Sequence, residues 1–363
     1  MSSQLPKGYI QPLPIRARES RPQPKGLPII NLSFNELPYS PTAHVQQAIR
    51  SATEQANLYG NPSCELLRQA LGTQHGLNPE KLICGNGSEE LLDIIGRVYA
   101  RSGDNIVIPE YGYIQFPIVA NRVGADLVKV PETEFTTDID ALLRAVDGKT
   151  RIVFLANPNN PTATMIPAVE IRRLANSLPS QVVLVVDLAY GEFASSGYCD
   201  DMHKLVEDAE NVIVTRTFSK AFGLAGLRVG WCHAPEHMIP SLYAARGMGT
   251  VNAAAQAAAI GALEDNEITA HRIQTIVHER DALARSLTEL GMEVTPSCAN
   301  FLMATTPDAT ALTADALANH LFDDVGILVN RTREAGLEKF IRFSIGLPEH
   351  NAMLKESIER FSG

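Results

Sequence analysis

The sequence predicts an α/β fold, in which a large domain with a mostly parallel central sheet flanked by helices precedes a smaller α+β C-terminal domain. Short, nearly continuous apolar runs are typical of strands buried on both faces of a parallel sheet, and the chain contains four of them: "NIVIPE", "RIVFLANP", "QVVLVVDLAY" and "NVIVTRTFS". Helical segments such as "PAVEIRRLANSL" separate these runs. The length of 363 residues suffices for one large domain and a smaller one.

The first segment, residues 1–45, is predicted to form an N-terminal arm. Six prolines and several arginines fall within residues 1 to about 30, which is a composition of irregular chain rather than of a packed element. Two interpretations stay open for it. The arm is either a flexible tail or a segment that lies across a partner subunit.

The large domain is predicted over residues 46–255 and the small domain over residues 256–363. In the large domain, "KLICGNGSEELLDIIGRVYARSGD" indicates a strand, a turn and a helix, since Leu91, Ile95 and Val98 share one helical face. In the small domain, "ANFLMATT" and "FIRFSIG" are strand-like, and "TIVHERDALARSLTELG" predicts a helix that ends at a glycine.

Composition excludes several classes of partner. The formal net charge is −10, with 31 basic and 41 acidic residues, whereas a nucleic-acid or anionic-membrane partner requires a basic face. The apolar runs are too short to span a bilayer. The five cysteines are scattered without a CxxC or metal-ligand spacing, which favours reduced thiols, a cytoplasmic location and no metal site.

Polar groups follow three of the predicted strands. "RIVFLA" runs into Asn157–Thr162, "VVLVV" ends in Asp187 with Tyr190 close behind, and "VIVT" leads to Ser219 and Lys220. Each group alone is weak evidence, because an aspartate after a strand is usually a helix cap and Asn-Pro is usually a turn. Ligands of open α/β sheets bind outside the carboxyl ends of the strands, so the three together predict a site.

Pyridoxal phosphate is the ligand that fits these groups best. Its aldehyde needs a lysine amine, supplied by Lys220, and its ring nitrogen needs a carboxylate, supplied by Asp187. Its phenolate oxygen needs neutral donors, for which Asn160 and Tyr190 are suited.

The phosphate of that cofactor needs hydroxyls, an arginine and helix N-terminal amides. Thr217, Ser219 and Arg228 surround Lys220 in "TRTFSKAFGLAGLRVGW" and provide the first two. Gly87 and Ser88 in "GNGSEELL" precede a predicted helix, whose first N–H groups are free to bind an anion.

The sequence resembles the class I/II, fold-type I aminotransferases that depend on pyridoxal phosphate, and within them most closely the histidinol-phosphate aminotransferase branch. The matching motifs occur in the family's order over roughly residues 30–360. They are "NELPYSP", "LYGNPSCELLRQAL", "GNGSEE", "PEYGY", "NPNNPT", "DLAY", "RTFSKAFGLAGLRVG", "PSCANF" and "IRFSIG".

The resemblance implies an enzyme that moves an amino group between an amino donor and a 2-oxo acid acceptor by a ping-pong mechanism. It makes Lys220 the Schiff-base lysine and general base, and Asp187 the partner of the pyridinium. It also implies that Tyr111 stacks on the ring, that Arg342 binds the acidic group of the substrate and that Tyr39 lies near the substrate. The remaining cofactor-binding residues that it implies are Gly87, Ser88, Glu89, Asn160, Tyr190, Thr217, Ser219 and Arg228.

The resemblance further implies a homodimer with shared active sites. Tyr59 matches a tyrosine that reaches the cofactor phosphate of the neighbouring subunit. A second copy of the chain is therefore the expected macromolecular partner, and neither nucleic acid nor membrane is expected.

On the substrate side the sequence departs from the branch. Where "ILVR" normally carries an arginine for the substrate phosphate, this chain has "ILVNR", with Asn330 at that place and Arg331 after it. Alternation along a strand sends Arg331 to the opposite face. The usual Pro-Phe-Asn run is replaced in "ARGMGTVN", and "NENPYGP" has become "NELPYSP". These departures favour an α-amino acid as substrate over histidinol phosphate.

Three alternatives stay open. The chain is a histidinol-phosphate aminotransferase proper, or a pyridoxal-phosphate decarboxylase or lyase of the same fold, such as the relatives of threonine-phosphate decarboxylase, which share every cofactor residue. A non-enzymatic pyridoxal-phosphate sensor ranks lowest, because the chain is acidic and carries no appended helix-turn-helix segment.

Overall fold

A computed structural model describes residues 10–11, 24, 26–306 and 313–362 of the chain. Most of the proline-rich part of the predicted arm therefore lies outside the described residues. The strands are β1 (Ile30–Leu32), β2 (Leu82–Gly85), β3 (Asn105–Pro109), β4 (Asp126–Val130), β5 (Thr150–Ala156), β6 (Val183–Asp187), β7 (Val212–Thr217), β8 (Gly230–His233), β9 (Phe301–Thr305), β10 (Ile327–Arg331) and β11 (Phe340–Ser344).

The helices that connect and cover these strands vary from two turns to more than six. They are α1 (Ala43–Thr53), α2 (Glu65–His75), α3 (Ser88–Tyr99), α4 (Gln115–Val123), α5 (Ile139–Ala145), α6 (Ala168–Ser177), α7 (Tyr198–Asp208), α8 (Ile239–Ala245), α9 (Ala253–Glu264), α10 (Asn266–Glu289), α11 (Ala314–Val325) and α12 (Pro348–Ser362). None of the described helices is both long enough and apolar enough to cross a bilayer.

The central sheet has the strand order β2-β8-β7-β6-β5-β3-β4. The strands from β7 to β4 pair in parallel, and β8 pairs antiparallel with both of its neighbours. The four apolar runs of the sequence form β3, β5, β6 and β7, which confirms the predicted mostly parallel sheet. The short strand β8, "GWCH", has no such apolar run and was not predicted.

Helices cover both faces of this sheet. Helices α3, α4 and α8 pack on one face, and α5, α6 and α7 on the other, each layer closing a cluster of buried apolar side chains. Fully buried strands of this kind lack polar alternation because neither face meets water. The arrangement leaves the loops after β5, β6 and β7 together at the carboxyl edge of the sheet.

A second sheet has the order β1-β10-β11-β9 and packs with α10, α11 and α12 around its own core. The two strand-like runs predicted in the small domain form β9 and β11. Strand β1 lies within the segment predicted as an arm, yet it pairs in parallel with β10. After β1 the chain therefore passes directly from the small sheet to the carboxyl edge of the central sheet.

Helix α9 crosses the predicted domain boundary at residue 255. Its buried alanines pack against α1 and α2, in a cluster that also contains side chains of β2 and β8. The part of α9 that follows the boundary, up to Glu264, thus belongs to the core that covers β2 and β8 of the central sheet, whereas α10 packs in the core of the small sheet. The exact limits of the domains stay a prediction.

Candidate active site

A cavity of ≈ 480 Å³ lies at the carboxyl edge of the central sheet. It is enclosed by the loops after β5, β6 and β7, by the start of α3, by the loop after β1 and by residues of β10 and β11. The predicted site residues that line it are Ser88, Glu89, Asn160, Asp187, Tyr190, Thr217, Ser219, Lys220, Arg228 and Arg342.

Asp187 is the last residue of β6, and it is buried at the floor of this cavity. Its Oδ1 accepts a hydrogen bond from Oγ1 of Thr215 at 2.9 Å, and the backbone N–H of Ala189 also donates to the carboxylate. Burial nevertheless raises the pKa of Asp187 to about 7, since these two bonds offset only part of the desolvation. A carboxyl in this state gains from a cation that approaches from the cavity, which is what a protonated pyridine nitrogen provides.

Lys220 stands in the loop after β7, with its amine in the cavity. Its Nζ donates to the carbonyl oxygens of Phe34 at 3.0 Å and Asn35 at 3.1 Å. Burial, together with the positive charge of Arg342, lowers the pKa of Lys220 to about 8. At pH 7 roughly a tenth of the amine is then in the neutral form that a nucleophile or general base requires, far more than for an ordinary lysine.

Asn160 and Tyr190 meet between these two groups. The hydroxyl of Tyr190 accepts from Nδ2 of Asn35 at 2.9 Å and from Nδ2 of Asn160 at 3.4 Å. Burial raises the pKa of Tyr190 to about 12, so the phenol keeps its proton. Because two amides donate to its oxygen, the O–H of Tyr190 remains available as a donor to a ligand.

A cluster of donors occupies the end of the cavity near α3. Helix α3 begins at Ser88, after Gly87 with a φ of 82°. A Cβ on residue 87 would lie 2.7 Å from Nη2 of Arg228, so only glycine allows the guanidinium to approach this turn. Nη1 of Arg228 donates to Oγ of Ser219 at 3.3 Å, and Oγ1 of Thr217 donates to the same oxygen at 3.0 Å.

These groups fit a phosphate, since hydroxyls, a guanidinium and helix N-terminal amides converge on one place. Glu89 adds a negative charge there, and its Oε2 accepts from Nη2 of Arg228 at 3.0 Å. Its Oε1 accepts from the hydroxyl of Tyr113 at 2.7 Å. The residues present thus suit each part of pyridoxal phosphate: the phosphate, the phenolate oxygen, the ring nitrogen and the aldehyde.

The opposite end of the cavity contains Arg342 and Asn330, which are cross-strand partners of β11 and β10. The guanidinium of Arg342 donates to Oδ1 of Asn160 at 2.5 Å and to the carbonyl of Ser33 at 2.9 Å. Asn330 faces the same cavity as a neutral side chain. This end therefore offers one guanidinium and one amide to a ligand.

Arg331 points away from the cavity, as the alternation along β10 predicts. Its Nη1 donates to Oδ1 of Asp315 at 3.0 Å, and its Nη2 donates to Oδ1 of Asn319 at 2.8 Å. Both partners belong to α11, which packs on the other face of the small sheet. The guanidinium of Arg331 is thus bound by α11, outside the cavity lining.

Three predicted tyrosines lie outside the cavity lining. Tyr111 packs against Phe135, with 5.9 Å between ring centroids, because the turn at residues 109–112 directs it towards that loop. The ring of this segment that lines the cavity is Tyr113. Tyr39 lies 5.0 Å from the guanidinium of Arg272 on α10. Tyr59 is fully exposed on the surface of this single chain.

Sequence reasoning assigned no role to Asn35 or Tyr113. Asn35 is buried and adopts a left-handed φ of 55°, a conformation that asparagine tolerates better than most residues. It stands in the quoted motif "NELPYSP", but only the three-dimensional structure brings it to Lys220. Tyr113 carries a signal that could have been used, because it is the second tyrosine of "PEYGY".

The chain matches the family model described as Aminotransferase class I and II over residues 28–361. It is 37% identical over 370 residues to a histidinol-phosphate aminotransferase of Rhodopseudomonas palustris (strain TIE-1), with 100% of both chains covered. It is 38% identical over 333 residues to the enzyme of that name from Granulibacter bethesdensis, covering 92% of this chain and 89% of the relative.

Among solved structures, the chain is similar to histidinol-phosphate aminotransferase from Sinorhizobium meliloti in complex with pyridoxal-5'-phosphate. The TM-score is 0.85 at 31% identity, and 91% of each chain is covered. The fold and the site define an enzyme of the fold-type I architecture that depends on pyridoxal phosphate. The chain belongs to the class I and II aminotransferases, and its substrates are an amino donor and a 2-oxo acid acceptor.

Proposed function

We propose that this aminotransferase takes an α-amino acid with an uncharged side chain as its amino donor. The observation that carries the proposal is the pair formed by Arg342 and Asn330 at the substrate end of the cavity. The planar fork of one arginine fits one carboxylate with two parallel hydrogen bonds. Arg331, the only neighbouring cation on β10, is engaged by α11 instead.

A phosphomonoester substrate would be less well accommodated at this end. It carries close to two negative charges at neutral pH, and one guanidinium leaves part of that charge uncompensated. The cavity lining also includes the carboxylates of Glu36 and Glu334, which disfavour a second phosphate in addition to that of the cofactor.

Histidinol phosphate is the second candidate substrate, and the names of the relatives from Rhodopseudomonas palustris and Granulibacter bethesdensis favour it. The two candidates share the cofactor end of the site. They differ in the group that must bind at Arg342 and Asn330, which is a carboxylate for the amino acid and a phosphate for histidinol phosphate. The substrate end of the cavity is therefore where the two proposals can be distinguished.

Pyridoxal phosphate supplies, when bound, a carbon that carries the amino group and a ring that accepts electrons. In the proposed mechanism, Arg342 binds the carboxylate of the donor and fixes its α-carbon near Lys220. With the cofactor bound, the Nζ of Lys220 would remove the α-proton of the donor and hold it for return. The carboxylate of Asp187 would keep the ring nitrogen protonated, and Asn160 and Tyr190 would donate to the ring oxygen.

The phosphate of the cofactor is proposed to bind the amides at the start of α3 and the side chains of Ser88, Thr217, Ser219 and Arg228. We further propose Tyr113, rather than Tyr111, as the ring that contacts the cofactor, because only Tyr113 lines the cavity. Its hydroxyl bond to Glu89 holds this ring at the phosphate end.

The substrate proposal predicts the order of kcat/KM values. A neutral α-amino acid should exceed histidinol phosphate, and Asn330→Arg should narrow the gap by about ten- to a hundredfold, the value of one charge-assisted contact. The measurement is kcat/KM for histidinol phosphate against a panel of amino acids. Arg331→Ala is the matched control, and it should leave the order unchanged because its side chain faces α11. A clear preference for histidinol phosphate in the unmodified enzyme would refute the proposal.

The chain is also proposed to form a homodimer with shared active sites. Leu58 and Tyr59, between α1 and α2, are exposed, and so is Met248 in the segment that precedes α9. A cleft of ≈ 360 Å³ lies between the two segments, and burial of these apolar side chains by a second copy would be favourable.

A location in the cytoplasm remains a prediction from the scattered cysteines.

The dimer proposal predicts a mass in solution of twice 39.4 kDa, which light scattering will measure. Tyr59→Phe should weaken cofactor binding by about tenfold, because one hydrogen bond to a charged phosphate is lost. The control is Tyr99→Phe. Tyr99 lies on α3 and no predicted contact brings it to the cofactor, so this variant should bind the cofactor normally. A fully active monomer would contradict the proposal.

A further inference from the structure

The loop after β1 closes over the reactive lysine. Phe34 and Asn35 each turn a carbonyl oxygen towards Nζ of Lys220, at 3.0 and 3.1 Å. Both residues follow β1 of the small sheet, whereas Lys220 lies in the loop after β7 of the central sheet. The position of the amine is therefore determined by an element outside its own loop.

Asn35 anchors this loop with almost all of its polar atoms. Its backbone N–H donates to Oγ of Ser344 at 2.8 Å, and its carbonyl also accepts from Nδ2 of Asn300 at 3.1 Å. Its side-chain amide donates to the hydroxyl of Tyr190 at 2.9 Å. Asn35 thus connects β11, and Asn300 directly before β9, to the two cavity groups Tyr190 and Lys220.

The backbone of Asn35 is what aims its carbonyl at Lys220. With a φ of 55° and an exposed fraction of 1%, the residue sits in the left-handed region inside the protein. Asparagine and glycine adopt this conformation more readily than other residues, whereas the Cβ of alanine disfavours it. The identity of residue 35 therefore matters for the direction of the carbonyl as well as for the bond to Tyr190.

Two carbonyl acceptors impose a direction on an amine. A neutral lysine amine has two N–H bonds and one lone pair around its nitrogen, and the carbonyls of Phe34 and Asn35 accept both N–H bonds. The lone pair is then the position left to face the cavity. A proton that Lys220 takes up or releases is consequently exchanged on the cavity side.

We propose that Asn35 is a positioning residue, which holds the carbonyl pair of residues 34 and 35 so that the lone pair of Lys220 is directed into the cavity. The inference depends on Lys220 as the reacting lysine and not on the identity of the amino donor. It assigns to Asn35 a role that acts through Lys220 and Tyr190.

The test is the rate at which the full-length chain, stripped of cofactor, is loaded with pyridoxal 5'-phosphate. In loading, the lone pair of Nζ adds to the aldehyde carbon, and the two protons of the amine leave with the aldehyde oxygen as water. The absorbance of the bound cofactor reports this step without any turnover. Asn35→Ala should slow it by about tenfold or more, since a misdirected reacting group is costly even at small displacements.

Asn35→Gly separates the backbone from the side chain, because glycine retains the left-handed conformation. It should load at least severalfold faster than Asn35→Ala. Asn31→Ala is the matched control: Asn31 lies in the same segment and its side chain bonds to Ser33, so this variant should load at the rate of the unmodified chain. Equilibrium binding of 4'-deoxypyridoxine phosphate, which has no aldehyde, should be unchanged in all three variants.

Loading of Asn35→Ala at the rate of the unmodified chain would overturn the proposal. Two other results would also overturn it: Asn35→Gly as slow as Asn35→Ala, or Asn31→Ala as slow as Asn35→Ala. If Asn35→Ala does not fold, Ser344→Ala provides the second test, since it removes the acceptor of the Asn35 N–H. It should slow loading severalfold, and an unchanged rate would refute the role of Asn35. A donor other than the proposed one alters none of these outcomes.

Discussion

Lys220→Ala is expected to lower kcat by about 10²–10⁴-fold, which is the usual contribution of a general base, while the chain folds normally. The amine of Lys220 is the lysine nitrogen that lines the cavity, and its pKa of about 8 suits proton transfer near neutral pH. No hydroxyl among the residues that line the cavity replaces a base of this strength. Steady-state turnover with the best amino donor measures the loss.

The matched control is Lys129→Ala on β4, whose amine lies 3.7 Å from Glu110 at the surface. It should retain full activity. Borohydride treatment of the cofactor-loaded, unmodified protein should attach the cofactor to the peptide that contains "TFSKAF". Attachment to any other lysine would refute the assignment of Lys220.

Much of the fold was predictable because burial leaves a direct record in the sequence. Strands β3, β5, β6 and β7 are covered by helices on both faces, so they read as apolar runs without alternation. Strand β1 left no such record. It is three residues long and gains its partner, β10, from nearly 300 residues further along the chain.

The cofactor end of the site was predictable for a related reason. Asp187 is the last residue of β6 and Lys220 lies in the loop after β7, and parallel strands bring their carboxyl ends to one edge. The local pattern therefore contained the spatial arrangement. The direction of Arg331 was also predictable from a local rule. Side chains alternate along β10, so Arg331 and Asn330 point to opposite faces of the small sheet.

The rest of the site depends on contacts between distant segments. Asn35 reaches Lys220 only through the pairing of the small sheet and the loop that leaves it. The orientation of Tyr111 and Tyr113 depends on the turn between them and on Phe135. No periodicity in the sequence encodes such a turn, so the motif identified the segment "PEYGY" but the structure selected the tyrosine that faces the cavity.

Asp187→Ala is expected to lower kcat by well over tenfold, which corresponds to more than about 1.4 kcal/mol in the transition state. The carboxylate is proposed to keep the ring nitrogen of the cofactor protonated, and without it the ring accepts electrons poorly. Asp323→Asn on the exposed face of α11 is the control and should be silent. A kcat for Asp187→Ala within about tenfold of the unmodified enzyme would show that the carboxylate does not have this role.

Asp187→Asn should also change how the stability of the cofactor-free chain depends on pH. Burial raises the pKa of Asp187 from an ordinary value to about 7, so the folded chain binds a proton that the unfolded chain has already lost. That contribution to stability is complete below about pH 4 and declines, by up to about 1.4 kcal/mol per pH unit, until the pH passes the folded value. Asparagine cannot ionise, and the variant should therefore gain stability relative to the unmodified chain between about pH 4 and 7, then keep a constant advantage. Urea unfolding of both cofactor-free proteins across this range measures the difference, and parallel pH profiles would contradict a raised pKa at Asp187.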